Sequence, residues 1–217
     1  MAGLSDDRYR DGAALLFALV WAALAIAPLY RHDWMLENLL VAVCAAAFLW
    51  WRKSIHLSKL SVTLVFVYLC FHETGAHYTY SKVPYDDWAR ALTGGTVSEW
   101  LGLQRNHFDR LVHFLYGLLL AYPMREVYVR KCWLHGRLTF TFPVAITLAI
   151  SAMYEIFEWW AAELAGGDLG AAYLGTQGDE WDAQKDMVLA GLGSLLAMLA
   201  TAGAFLHRRP TWDRQSA

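Results

Sequence analysis

The feature that most constrains this chain is a series of six apolar blocks, at residues 12–29, 36–51, 60–78, 111–128, 143–164 and 186–206. Each is roughly 16 to 22 residues long, the length a helix needs to cross about 30 Å of hydrocarbon. Lipid offers the backbone no hydrogen-bond partners, so a spanning segment must be a helix or part of a closed barrel. Ten-residue alternating segments, the mark of a barrel, are absent. The expected fold is therefore all-α: a polytopic membrane protein forming a single transmembrane domain over residues 1–217, a bundle of about six helices. The composition agrees, at 57% hydrophobic and a mean hydropathy of +0.28. Ala25-Ile26-Ala27 resembles a signal-peptide cleavage site, but Pro28 follows it directly, so the first block is read as a retained span.

The longest connection runs from Thr79 to Arg110 and contains Trp88, Leu92, Trp100 and Leu101. That spacing predicts an interfacial helix over 86–103, lying on the membrane surface. Three separated cysteines make no disulfide framework, and Cys44 and Cys70 inside apolar blocks read as small buried hydrophobes. No basic patch interleaved with aromatics is present, which excludes nucleic acid as a partner. Membrane lipid is the expected surrounding, and the oligomeric state is open.

Charge sets the orientation. The N-terminus, the 52–59 connection, the 125–137 connection and the C-terminus hold twelve of the eighteen Lys and Arg residues and five of the twenty acids. The other side holds six basic and fifteen acidic residues. The positive-inside rule then puts both termini in the cytoplasm of a bacterial inner membrane, with the acidic side outside.

Charged residues inside spans are costly and mark function. Four groups stand out. The third block ends in His72-Glu73-Thr-Gly-Ala-His77, with Glu73 and His77 at i,i+4 on one helix face. The fourth begins with Asp109 and His113, again at i,i+4. The fifth carries Glu155 and Glu158, and the sixth is entered through Asp179, Asp182 and Asp186, one acidic stripe if that stretch is helical. By topology all four groups reach the same, outer depth. Imidazoles with carboxylates form a ligand set for Zn, Mn or Fe, and carboxylates alone suit Mg. On this reading His72, Glu73, His77, Asp109, His113, Asp179 and Asp182 are the metal candidates. Glu155, Glu158 and Asp186 are the catalytic candidates, because a carboxylate left off the metal can take a proton from a bound water. Ordinary structural readings stand beside these. Asp109 and the Asp179 group can be helix-capping acids, and Arg110 and Lys185 can pair with Glu155 and Glu158. Gly191 and Gly193 read as close helix packing.

At Gly75–Tyr80, Phe108–Phe114, Tyr154–Trp160 and residues 174–187 the chain resembles the YjdF-type bacterial inner-membrane proteins, over about 33–206. That resemblance implies the inner membrane and carries no reaction. More distantly, the second half resembles the VanZ-like membrane proteins linked to glycopeptide-antibiotic resistance, at Asp109, His113, Phe114, Glu155, Asp182, Asp186 and Gly193. It implies that these polar residues belong together.

Three functions fit the pattern. The first is a metal-dependent membrane hydrolase or transferase with an outward-facing acid/histidine site, acting on a lipid or lipid-linked substrate. The second is a non-catalytic interaction or stability protein whose acidic cluster is structural or ion-binding. The third is an ion- or proton-coupled transporter, against which the inner halves of the spans show no comparable polar residues.

Overall fold

The computed structural model describes residues 4–51, 54–132, 134–165 and 176–207. Eight helices and no strand occur among them: α1 Leu4–Leu24, α2 Arg31–Trp51, α3 Lys59–Tyr78, α4 Tyr85–Thr93, α5 Val97–Leu101, α6 Phe108–Lys131, α7 Leu138–Ala165 and α8 Asp182–His207. Arg52, Lys53, Asp168, Arg208, Arg209, Asp213 and Arg214, used in the charge count, lie outside the described residues, as do residues 174 and 175 of the last motif.

Six of these helices are 20 to 28 residues long, about 30 Å or more at 1.5 Å per residue. By length and apolarity α2, α7 and α8 can cross a membrane as they stand. α3 and α6 carry the two buried histidines of the described residues, with Glu73 on α3 and Arg125 and Glu126 on α6 buried as well. Among the described residues, sixteen polar or charged side chains are buried against eleven apolar ones, while Leu39, Val43, Leu92, Leu164, Val188 and Leu199 are exposed. A water-soluble fold would invert that distribution, because apolar burial drives its folding. The polar inside and apolar outside identify a membrane protein.

The helices differ from the apolar blocks in instructive ways. α1 stops at Leu24 rather than Leu29. Ala27 has a positive φ of 49° just before Pro28, whose ring disfavours helical backbone in the residue ahead of it. α2 begins at Arg31, five residues before its apolar run, and so includes Asp33, Glu37 and Asn38 as buried helical residues. α7 begins at Leu138, and Pro143 is accommodated within it. The expected surface helix over 86–103 is two short helices. Gly94, at φ 81°, ends α4, and Thr96 starts α5 with a reciprocal capping box to Glu99. Trp88, Leu92, Trp100 and Leu101 are all exposed along them. Cys44 is also exposed, on the outer face of α2, and Cys70 is only half-buried, so neither is the core residue its position suggested.

α6 is the centre of the bundle, packing on α3, α7 and, most extensively, α8. Gly117 and Gly193 permit that last contact. A Cβ on Gly117 would stand 1.9 Å from the Ala190 carbonyl oxygen, and one on Gly193 would stand 2.2 Å from that of Phe114. The two backbones therefore touch, as small residues allow in membranes. Gly191 instead faces the Leu148 side chain of α7.

Candidate functional site

The polar residues converge where α3 and α7 end and α2, α6 and α8 begin. Asp109 and His113 share a face of α6 one turn apart, and Asp186 projects from the second turn of α8. One ligand atom from each of Asp109, His113 and Asp186 lies within 4.8 Å of the others, close enough that the three could hold a metal ion. His113 Nε2 is 3.7 Å from an Asp109 oxygen and 3.7 Å from Glu155 Oε1 on α7. Asp186 is only 2% exposed, yet its Oδ1 has no hydrogen-bond partner, and neither does Glu155 Oε1. Burying a carboxylate without partners is expensive, and gathering several together more so. A cation between them would offset both costs.

The remaining expected ligands have other surroundings. Asp182 pairs with Arg105 and, at 3.1 Å, with Arg110. Asp179 lies before α8 rather than on it, so the acidic stripe is broken. Its carboxylate accepts from Lys185 Nζ at 2.6 Å and from the Trp181 backbone at 3.1 Å, and it pairs with Arg110. Those bonds, the Lys185 one foremost, hold the Asp179 carboxyl well below the usual carboxylate range. Arg110 and Lys185 are thus committed to Asp179 and Asp182, not to Glu155 and Glu158 as the sequence allowed. His77 donates from Nδ1 to the Leu24 carbonyl at 2.7 Å, and Leu29 N donates to the His77 carbonyl at 2.9 Å. These bonds fasten the α1–α2 turn to the end of α3. Glu73 is fully buried beside Asn38 of α2, and its oxygens make no hydrogen bond. Glu158 lies one turn beyond Glu155 on α7.

His72 does face the centre, but through residues that sequence reasoning missed. After α3, Thr79 and Tyr80 take positive φ values of 54° and 49°, a costly conformation that folds Tyr80 back along the helix. Its ring packs over Gly75, where a Cβ would stand 2.4 Å from it. The Tyr80 hydroxyl is then 2.6 Å from His72 Nδ1 and 3.4 Å from Glu37 of α2. Tyr154 of α7 donates to the same Glu37 carboxylate at 2.6 Å. Glu37 could have been found: it is an acid inside the second apolar block, at its second residue. Tyr80 and Tyr154 offered no signal beyond their place in the quoted motifs.

His72, Tyr80, Asp109, His113 and Tyr154 line a cavity of about 60 Å³ beside the carboxylates. At the opposite end of α6, Arg125 and Glu126 are also fully buried. Glu126 accepts from the Ser58 backbone and hydroxyl at 2.8 Å each and from Ser61, and pairs with Arg130 at 2.7 Å. Arg125 lies 4.3 Å over the Phe140 ring. The expectation that this end of the spans lacks polar residues is therefore overturned. α6 continues through Lys131, with Arg125, Glu126 and Val129 buried along it.

A profile of the family described as "Predicted membrane protein (DUF2238)" matches residues 11–209. The inner membrane protein YjdF of Escherichia coli (strain K12) is 40% identical over 191 residues, covering 88% of this chain and 87% of that protein. No solved structure matches.

Proposed function

Because the chain belongs to the DUF2238 family of predicted membrane proteins, we propose that it is a six-span protein of the bacterial inner membrane, with both termini cytoplasmic. Its outward-facing centre then binds a divalent metal ion for hydrolysis or group transfer on a lipid or lipid-linked substrate. The observation that carries this reading is the approach of Asp109, His113 and Asp186 ligand atoms to within 4.8 Å, with a buried Asp186 oxygen left without a partner. One imidazole with two carboxylates favours Zn, Mn or Fe over Mg. An ion there would supply Lewis acidity and an acidified water. Glu155, against His113 yet outside the trio, would take that water's proton, and Glu158 one turn away would share the charge. Asp182 keeps Arg105 and Arg110 at the rim, and Glu37 holds Tyr154 and Tyr80.

A second reading, proton-coupled transport, draws on the buried Arg125 and Glu126 at the other end of α6. Glu126 is saturated by Ser58, Ser61 and Arg130, which suits a structural lock better than a relay.

Elemental analysis of detergent-purified protein tests the proposal. The expected result is stoichiometric transition metal in the wild type, lost in His113→Ala and Asp186→Asn. Metal-free wild-type protein, with both variants as stable as it, would sink the metal-enzyme reading. Proton flux in proteoliposomes that Glu155→Gln abolishes would favour transport instead.

A further inference from the structure

The cavity beside the carboxylates carries more than its shared wall with them. Three of its lining groups come from three helices and have buried polar atoms without hydrogen-bond partners: His72 Nε2 on α3, Tyr116 Oη on α6 and Ser151 Oγ on α7. Ser151 is 2% exposed and His72 5%. The Glu37 backbone carbonyl lies beside the His72 ring but outside hydrogen-bond geometry. Buried polar atoms are nearly always satisfied, so three orphans around one space point to something that fills it.

The chemistry of the three groups defines the occupant. The Tyr80 hydroxyl donates to Glu37 at 3.4 Å and lies 2.6 Å from His72 Nδ1, so the ring hydrogen sits on Nδ1 and Nε2 is left as an acceptor. The Tyr116 and Ser151 hydroxyls, on neighbouring helices, can each donate into the space. Two such hydroxyls can hold one acceptor oxygen. No Lys or Arg lines the cavity, while Asp109 does and Asp186 and Glu155 are near. A phosphate or carboxylate would be repelled there, and an uncharged carbonyl would not. The space holds about four water-sized groups, the size of one ester.

The way in is also visible. Leu40 of α2 and Ile150 of α7 line the cavity and are 47% and 41% exposed on the lipid-facing surface. An occupant can therefore reach the donors sideways from the bilayer. We propose that the cavity is a subsite for the ester carbonyl of an acyl lipid, held by the Tyr116 and Ser151 hydroxyls and reached between α2 and α7. This rests on the reading of the acid/histidine centre above and names the substrate class for it.

The test is binding, not turnover, measured by native mass spectrometry on EDTA-treated protein. The probes are dioleoylglycerol and its diether analogue, which has the same chains and hydroxyl but no carbonyl. The expected result is that the diester binds about ten-fold more tightly than the diether. Ser151→Ala and Tyr116→Phe, which only delete buried hydroxyls, should each lower diester affinity by about three- to ten-fold and leave the diether unchanged. Equal binding of diester and diether, or variants with wild-type selectivity, would overturn the subsite and leave the cavity to water. Because EDTA removes any metal, the outcome stands apart from that of the elemental analysis.

Discussion

Glu155 Oε1 of α7 lies 3.7 Å from His113 Nε2 of α6, closing the ring of side chains that Asp109 and Asp186 begin. Without a cation this ring is a set of buried acids around one imidazole. Adding Zn²⁺ or Mn²⁺ to metal-stripped protein should therefore raise its melting temperature. At a hundred-fold excess over Kd the gain is about 2.7 kcal/mol. Asp186→Asn should lose that response, and should melt no lower than wild type when both are kept in EDTA, because one of the crowded carboxyls is gone. Thermal unfolding in detergent, with and without metal, checks both halves.

The α6–α8 crossing predicts a steep difference between neighbouring glycines. Gly117→Ala and Gly193→Ala force a methyl against main-chain atoms and should each cost about 2–3 kcal/mol or prevent folding. Gly203→Ala meets nothing within 4 Å and should be neutral or slightly stabilising. Melting curves of the three variants decide the matter; equal effects would contradict the crossing.

Glu126 is fully buried and accepts from four donors, so its removal takes the shared carboxylate from Arg130 and both serines. Glu126→Ala should destabilise by about 3–5 kcal/mol. Ser61→Ala, which leaves the other three donors in place, should cost about 1 kcal/mol.

Asp179 titrates far below an ordinary aspartate because Lys185, the Trp181 backbone and Arg110 all donate to its charged form. A depressed folded-state pKa means that the unfolded chain binds the proton first as pH falls. The stability from Asp179 is thus complete well above about pH 4, the unfolded aspartate value, and is lost as pH falls below it. Asp179→Asn should melt below wild type at pH 7, and the gap should narrow towards pH 3.

Orientation is checked directly. A reporter active only outside the cytoplasm, fused after Ala217, should stay silent, and one inserted at Gly94 between α4 and α5 should be active. The reverse pattern would turn the charge-based assignment over.

Most of the architecture was legible because lipid demands long apolar helices, and each apolar block falls on one of the six long helices, although α1 begins eight residues ahead of its block. The charged ends were not legible in the same way. Arg31 to Met35 and Val129 to Lys131 fall outside the apolar blocks, yet both are helical, because neighbouring helices supply partners that the one-dimensional pattern does not show. In the site, periodicity placed Asp109 with His113, and topology brought Asp186 to them. The roles of His77 and Asp179 depend on the Leu24 carbonyl and on Arg110, distant contacts that no spacing rule contains. Tyr80 was the least accessible, since its position follows from two left-handed residues in succession.

The bare backbone contact at Gly117 and Gly193 works as a ruler as well as a joint. It lies about one turn along α6 from His113 and two along α8 from Asp186. With no side chain between the two rods, neither can slide or roll without collision, so the three donor atoms at the far end inherit their spacing from it. A random-mutation screen for activity should therefore recover these glycines together with the acids, although neither glycine can touch a ligand.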